Sequence, residues 1–175
     1  QMKSNKNKLA QQNFQAVLKL RPLHHGAAYN LALAYAKQGM QKESQEARKR
    51  QANIMRLKKR LSSLESQLKT HSQPLVIMLE LAKTHAELPQ PKKAAYWYQQ
   101  ALRRSPHHLQ AVLGLAKAAE ALGRKNEALK MYRQLLLQGR ATETALKEAL
   151  RILKEQGKKQ EAEQLLKQFE GRKKS

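Results

Sequence analysis

Apolar residues recur along most of the chain at three- and four-residue intervals, the spacing that gathers them on one stripe of an α-helix. Val112, Leu115, Ala116 and Ala119 form one such stripe, which runs to Gly123; the next carries Ala128, Tyr132 and Leu135. The same succession occurs earlier, where Ala28, Leu31, Ala32 and Tyr35 lead to Gly39. Both stripes open after a proline, Pro22 or Pro106, and the proline-to-glycine distance is 17 residues each time. Met78, Leu81 and Ala82 with Ala94, Tyr98 and Ala101 make a third copy. Leu146, Leu150, Leu153, Gly157, Ala162, Leu166 and Phe169 make a fourth. The chain opens on half a unit, Ala10, Phe14 and Val17 before Pro22. The pattern predicts pairs of helices joined by short turns.

Each residue type has a physical part in such pairs. Gly39, Gly123 and Gly157 supply the positive φ that ends the first helix of a pair. Small alanines at 32, 82, 116, 128 and 162 let two helices approach, while Tyr35, Tyr98 and Tyr132 fill the wider gaps. One pair cannot bury its own stripe, so neighbours must stack. A 34-residue helix–turn–helix unit with small and large residues in this order resembles the tetratricopeptide repeat family. The resemblance runs through nearly all of the chain except about 45–72. The tryptophan common early in the family's first helix is replaced here by Ala28, Met78, Val112 and Leu146. The resemblance implies an all-α, right-handed α-solenoid: a half repeat over 5–22, repeats over 23–72, 73–106, 107–140 and 141–171, and a basic tail at 172–175. A start at Gln1 reads as that of an internal fragment.

The period breaks once. One repeat after Gly39 the equivalent place should be 73, yet it falls at Pro89, which means 16 extra residues. No Gly or Pro occurs between 41 and 70, so the insert should prolong one helix by about 24 Å. Ile54, Leu57, Leu61, Leu64 and Leu68 form an apolar seam along it, flanked by Arg56, Lys58, Lys59 and Arg60. The expected cover is the following helix, with Leu75, Ile77 and Met78. A second copy of the chain is the alternative, which would make the seam a homo-oligomer interface.

Charge narrows the function. Lys and Arg number 35 against 13 acids, all of them Glu, for a net charge of +22. There is no Cys, which excludes disulfides, thiolate metal sites and a cysteine nucleophile. Residues 1–40 carry six cations and no acid, and Arg48, Lys49, Arg50, Arg56, Lys58, Lys59 and Arg60 form a basic patch. Such a density attracts phosphate without sequence preference. Only Tyr96 and Trp97 lack an evident core role, too few aromatics for base stacking. The expected partner is therefore an acidic protein or peptide, with nucleic acid or an anionic surface as the alternative. The longest apolar run, Pro74–Leu79, falls far short of the roughly 20 residues a membrane span needs. A soluble domain is expected, cytoplasmic, or periplasmic if it is part of a bacterial envelope protein.

Resemblance directs attention to the concave face lined by the first helix of each pair. Lys83, Lys117 and Arg151 share one column at the 34-residue period, and Leu79, Leu113 and Lys147 precede them by four. Allowing for the insert adds Leu33 and Tyr29 to these columns. With Lys154, the groove would turn from apolar to cationic toward its C-terminal end, a surface for a segment bearing carboxylates. Asn30 matches one Asn of the carboxylate clamp in the family's chaperone-binding subclass. Val76 and Glu80 stand where that clamp needs cations, so the subclass is disfavoured. The pairs His24-His25 and His107-His108 follow repeat-closing prolines and read as turn residues, not metal ligands. No phosphate loop, nucleophile elbow or His-Glu-x-x-His motif occurs. The expectation is a non-catalytic interaction scaffold without metal or cofactor. The regulatory repeat domain of a larger enzyme is a further alternative.

Overall fold

A computed structural model describes residues 2–70, 74–139 and 143–173. Among them lie nine helices and no strand: α1 (Met2–Leu20), α2 (His25–Lys37), α3 (Gln41–Thr70), α4 (Pro74–Glu87), α5 (Pro91–Arg104), α6 (Leu109–Ala121), α7 (Lys125–Leu137), α8 (Glu143–Glu155) and α9 (Lys159–Lys173). Of the basic tail, residues 174 and 175 lie outside the described residues. The chain divides into two compact units, Gln1–Ser63 and Leu64–Ser175.

In the N-terminal unit α1 and α2 close on Leu18, Ala27, Ala28 and Leu31, with Phe14, Val17 and Tyr35 around them. Gln15 Nε2 donates to the Tyr35 hydroxyl at 2.9 Å, and Gln38 Nε2 donates to Gln11 Oε1 at 3.0 Å. As one partner's number falls the other's rises, so the two helices run antiparallel. The turn before α2 is closed by His24, whose Nδ1 accepts from the Ala27 amide at 3.0 Å. That is the N-cap role usually filled by Ser, Thr, Asn or Asp. Gly39, at φ 74°, ends α2, and the Met40 amide returns to the Tyr35 carbonyl at 3.0 Å. This is the left-handed stop expected of the glycine. The buried Ser44 hydroxyl donates to the Ala32 carbonyl at 2.9 Å and joins α3 to α2.

The C-terminal unit builds two linked cores. Leu79, Ala82, Ala94, Tyr98, Ala101, Ala111 and Ala118 fill the space between α4, α5 and α6. Tyr132, Leu135, Ala145, Ala149, Ile152 and Leu153 lead the second, between α6 and α9. Where the α4–α5 turn lacks a glycine, Leu88 is buried and the Gln90 amide bonds the His85 carbonyl at 3.1 Å. Pro91 then opens α5, where a missing N–H costs nothing.

The long helix is as expected: α3 runs 30 residues without a break. Ile54, Leu57 and Leu64 are buried, while Leu61 and Leu68 are half-buried. Three of the five seam positions are thus covered in a single chain. Leu61 and Leu68 keep part of their surface open.

Candidate functional site

Helices α4, α6 and α8 are the first helices of three successive pairs, and their faces can be compared position by position. The column Lys83, Lys117, Arg151 has neighbours three residues before it, Glu80, Gly114 and Glu148, and four after it, Glu87, Ala121 and Glu155. Residues three and four apart share a helix face. On α4, Lys83 Nζ stands 3.1 Å from Glu80 Oε1.

On α8 the cation is consumed locally. Arg151 Nε donates to Glu148 at 2.8 Å and Nη1 to Glu155 at 2.6 Å, while Nη2 reaches Glu120 on α6. These hydrogen bonds hold the guanidinium pKa above its ordinary value. Glu120, only 13% exposed at its side chain, also accepts from the Tyr132 hydroxyl at 2.8 Å. Burial first, and the Glu120 bond second, push that phenol well above its usual range. Glu155 takes a further bond from Lys125 Nζ at 2.7 Å, and this bond leads in lowering its carboxyl. The result is a polar knot tying α6, α7 and α8.

Lys117 differs from both neighbours. It is exposed and forms no ion pair or hydrogen bond among the described residues: Gly114 and Ala121 carry no carboxylate, and Glu120, three residues on, is engaged by Arg151 and Tyr132. Lys147 and Lys154 are exposed on α8 and likewise unpaired among the described residues.

The apolar side of the expected groove needs correction. Leu79 is 7% exposed and belongs to the α4–α6 core, not to an open surface. Four residues advance a helix by about 400°, so position 79 is rotated about 40° from Lys83 to the edge of the core. A leucine there is drawn in, whereas Lys147 at the same place on α8 is exposed. Leu113 is half-buried for the same reason, packed against the second core. In the N-terminal unit Tyr29 and Asn30 are exposed on α2 and Leu33 is half-buried.

The basic patch lies along α3. Arg48, Lys49, Arg50, Arg56, Lys58 and Lys59 are exposed and Arg60 half-buried. Arg56 donates to Asn53 Oδ1 at 2.9 Å, and Lys58 Nζ donates to the Leu23 carbonyl at 3.1 Å. His108 caps α6 through the Ala111 amide as His24 caps α2, which accounts for one histidine of each pair. Trp97 packs partly buried against the α4–α6 core, while Tyr96 beside it is exposed. Among the described residues no group of three His, Cys, Asp or Glu is placed to hold a metal ion. None of the described helices is long and apolar enough to cross a membrane.

The pairs α4–α5, α6–α7 and α8–α9, of similar length and packed in succession, define an α-helical repeat protein. Two tetratricopeptide repeat family models match the chain, over residues 1–52 and 85–151. The chain belongs to the tetratricopeptide repeat family, and its fold is that family's all-α solenoid. No curated protein matches it. Among solved structures it is similar to MamA, with a TM-score of 0.58 at 14% identity over 94% of this chain and 86% of that one. It is also similar to PilW, described as a widely conserved type IV pilus biogenesis factor. There the TM-score is 0.59 at 17% identity, covering 97% of this chain and 87% of PilW. At such identities the likeness concerns the fold.

Proposed function

We propose that the chain is a non-catalytic interaction scaffold whose C-terminal unit receives an acidic segment of a partner protein on the α4, α6 and α8 face. The reading rests on the Lys117 column. Lys83 and Arg151 already have glutamates of their own, and Lys117 has none among the described residues. A carboxylate arriving there displaces no internal partner. Lys147 and Lys154, exposed on the neighbouring α8, add long-range attraction that speeds encounter more than it deepens affinity. Family membership supports a protein or peptide as the partner.

The test is selection from a random peptide library on the intact chain, followed by titration calorimetry of the enriched sequences. Enrichment of Asp and Glu is expected, with Lys117→Glu lowering affinity about tenfold or more. Lys83→Glu, whose charge is internally matched, should change it far less. Peptides that bind Lys117→Glu as well as the unaltered chain would remove this reading.

A further inference from the structure

The N-terminal unit carries 14 Lys and Arg against two acids, Glu43 and Glu46, a far more lopsided ratio than the 21 against 11 of the rest. Helix α3 sorts these charges. At about 100° per residue, Arg48, Lys49, Arg56 and Lys59 fall within an arc of about 100° centred opposite Ile54, Leu57 and Leu61. Glu43 and Glu46 fall on the other side, with the seam. All four cations are exposed, and Ala52 and Met55 are exposed near them. Among α3's own residues, this face is cationic and carries no acid over about 16 Å.

We infer that this face of α3 binds the phosphate backbone of nucleic acid without reading sequence. A duplex presents one negative charge about every 1.7 Å along its axis, so about ten phosphates lie along the length of the four cations, and any register finds partners. The chemistry of the face excludes its competitors one at a time. Protein interfaces are built on a buried apolar centre and are depleted in lysine, whereas the apolar groups here, Ala52 and Met55, stand singly beside Lys49 and Lys59. A helix lying in a lipid surface must insert an apolar side, but Ile54 and Leu57 are already buried. With no aromatic side chain on the face, bases are not stacked. The inference is independent of Lys117 and the α6 face.

The experiment is fluorescence anisotropy of a labelled random-sequence duplex with the full chain, from about 50 to 200 mM salt. Log affinity should fall linearly with log salt. A variant with Arg48, Lys49, Arg56 and Lys59 all changed to Gln should bind at least about tenfold more weakly at the low end. Its slope should be smaller by about 3 to 4, at roughly 0.9 for each phosphate no longer neutralised. A control variant that neutralises the exposed Lys92, Lys93, Lys130 and Lys167 removes as many charges and should keep the slope. Gln is a good helix former, and circular dichroism checks the fold. If the fourfold variant loses helix, the Arg48→Gln, Lys59→Gln pair should still lower the slope by about 1.8. Equal losses in test and control, or no binding at low salt, would overturn the inference. So would polyglutamate or anionic vesicles displacing the duplex better than unlabelled duplex does.

Discussion

The phenol ring of Tyr98 in α5 lies directly over the α-carbon of Gly114 in α6: a Cβ added at Gly114 would sit 2.1 Å from Tyr98 Cζ. A glycine inside a helix costs about 1 kcal/mol against alanine, and here the cost is offset by letting a buried aromatic ring close the α4–α6 core. The same glycine leaves Lys117 without a carboxylate three residues before it. Packing and the proposed binding face thus meet at one position.

Gly114→Ala should therefore destabilise the chain despite alanine's better helix propensity, by about 1–3 kcal/mol, since the ring must move or the helices part. Urea unfolding measures it. Adding Tyr98→Ala should make the two changes non-additive, with a coupling of about 0.5–3 kcal/mol. A Gly114→Ala chain more stable than its parent would contradict the close approach.

The knot around Arg151 should behave as one unit. Arg151→Met strands the poorly exposed Glu120 and should cost about 1–3 kcal/mol. Arg151→Lys should recover only part, because one ammonium cannot serve carboxylates on two helices with the geometry of a fork. Tyr132→Phe removes a single bond to Glu120 and should cost about 0.5–1.5 kcal/mol. Additive losses in the Arg151→Met, Tyr132→Phe pair would show that no network exists.

Much of this was legible in sequence, and the limits have physical causes. Gly39, Gly123 and Gly157 were expected to stop helices, and each has a φ between 73° and 79°. The 3.6-residue stripe correctly placed Tyr132 and Ala116 inside. Glu148 and Glu155 could have been paired with Arg151 by helical spacing alone. Glu120 could not, because its bond depends on how α6 lies beside α8. A column drawn at the repeat period also hides rotation within it, which is why Leu79 was expected on a surface and is buried.

Stability should fall on mild acidification because of His85. The ring is 3% exposed, and its Nδ1 stands 2.7 Å from Gln90 Oε1. Burial leads in lowering its pKa from 6.5; the Gln90 bond opposes this, Lys93 adds to it and Glu65 opposes it. The unfolded chain therefore takes up a proton before the folded one, so stability is full above about pH 6.5 and declines as pH falls below it. His85→Gln should flatten that decline between roughly pH 7 and 5. Chemical denaturation at several pH values reads it, and an unchanged slope would assign the acid sensitivity elsewhere.

The last prediction separates an internal role for the α3 seam from an assembly role. Leu57 is 0% exposed and Ile54 4% exposed in a single chain. Removing three carbons from a fully buried leucine leaves a cavity, so Leu57→Ala should cost about 2–5 kcal/mol. Met55, 45% exposed on the same helix, should change stability by less than about 0.5 kcal/mol when replaced by alanine. If the seam is internal, both variants keep the parent's mass by light scattering, and the Leu57→Ala midpoint drops equally at all protein concentrations. If the seam joins copies, mass must fall in Leu57→Ala and the parent's midpoint must rise with concentration, because association couples stability to mass action. The burial of Leu57 within one chain favours the first outcome, and the second would make residues 54–68 an oligomer interface.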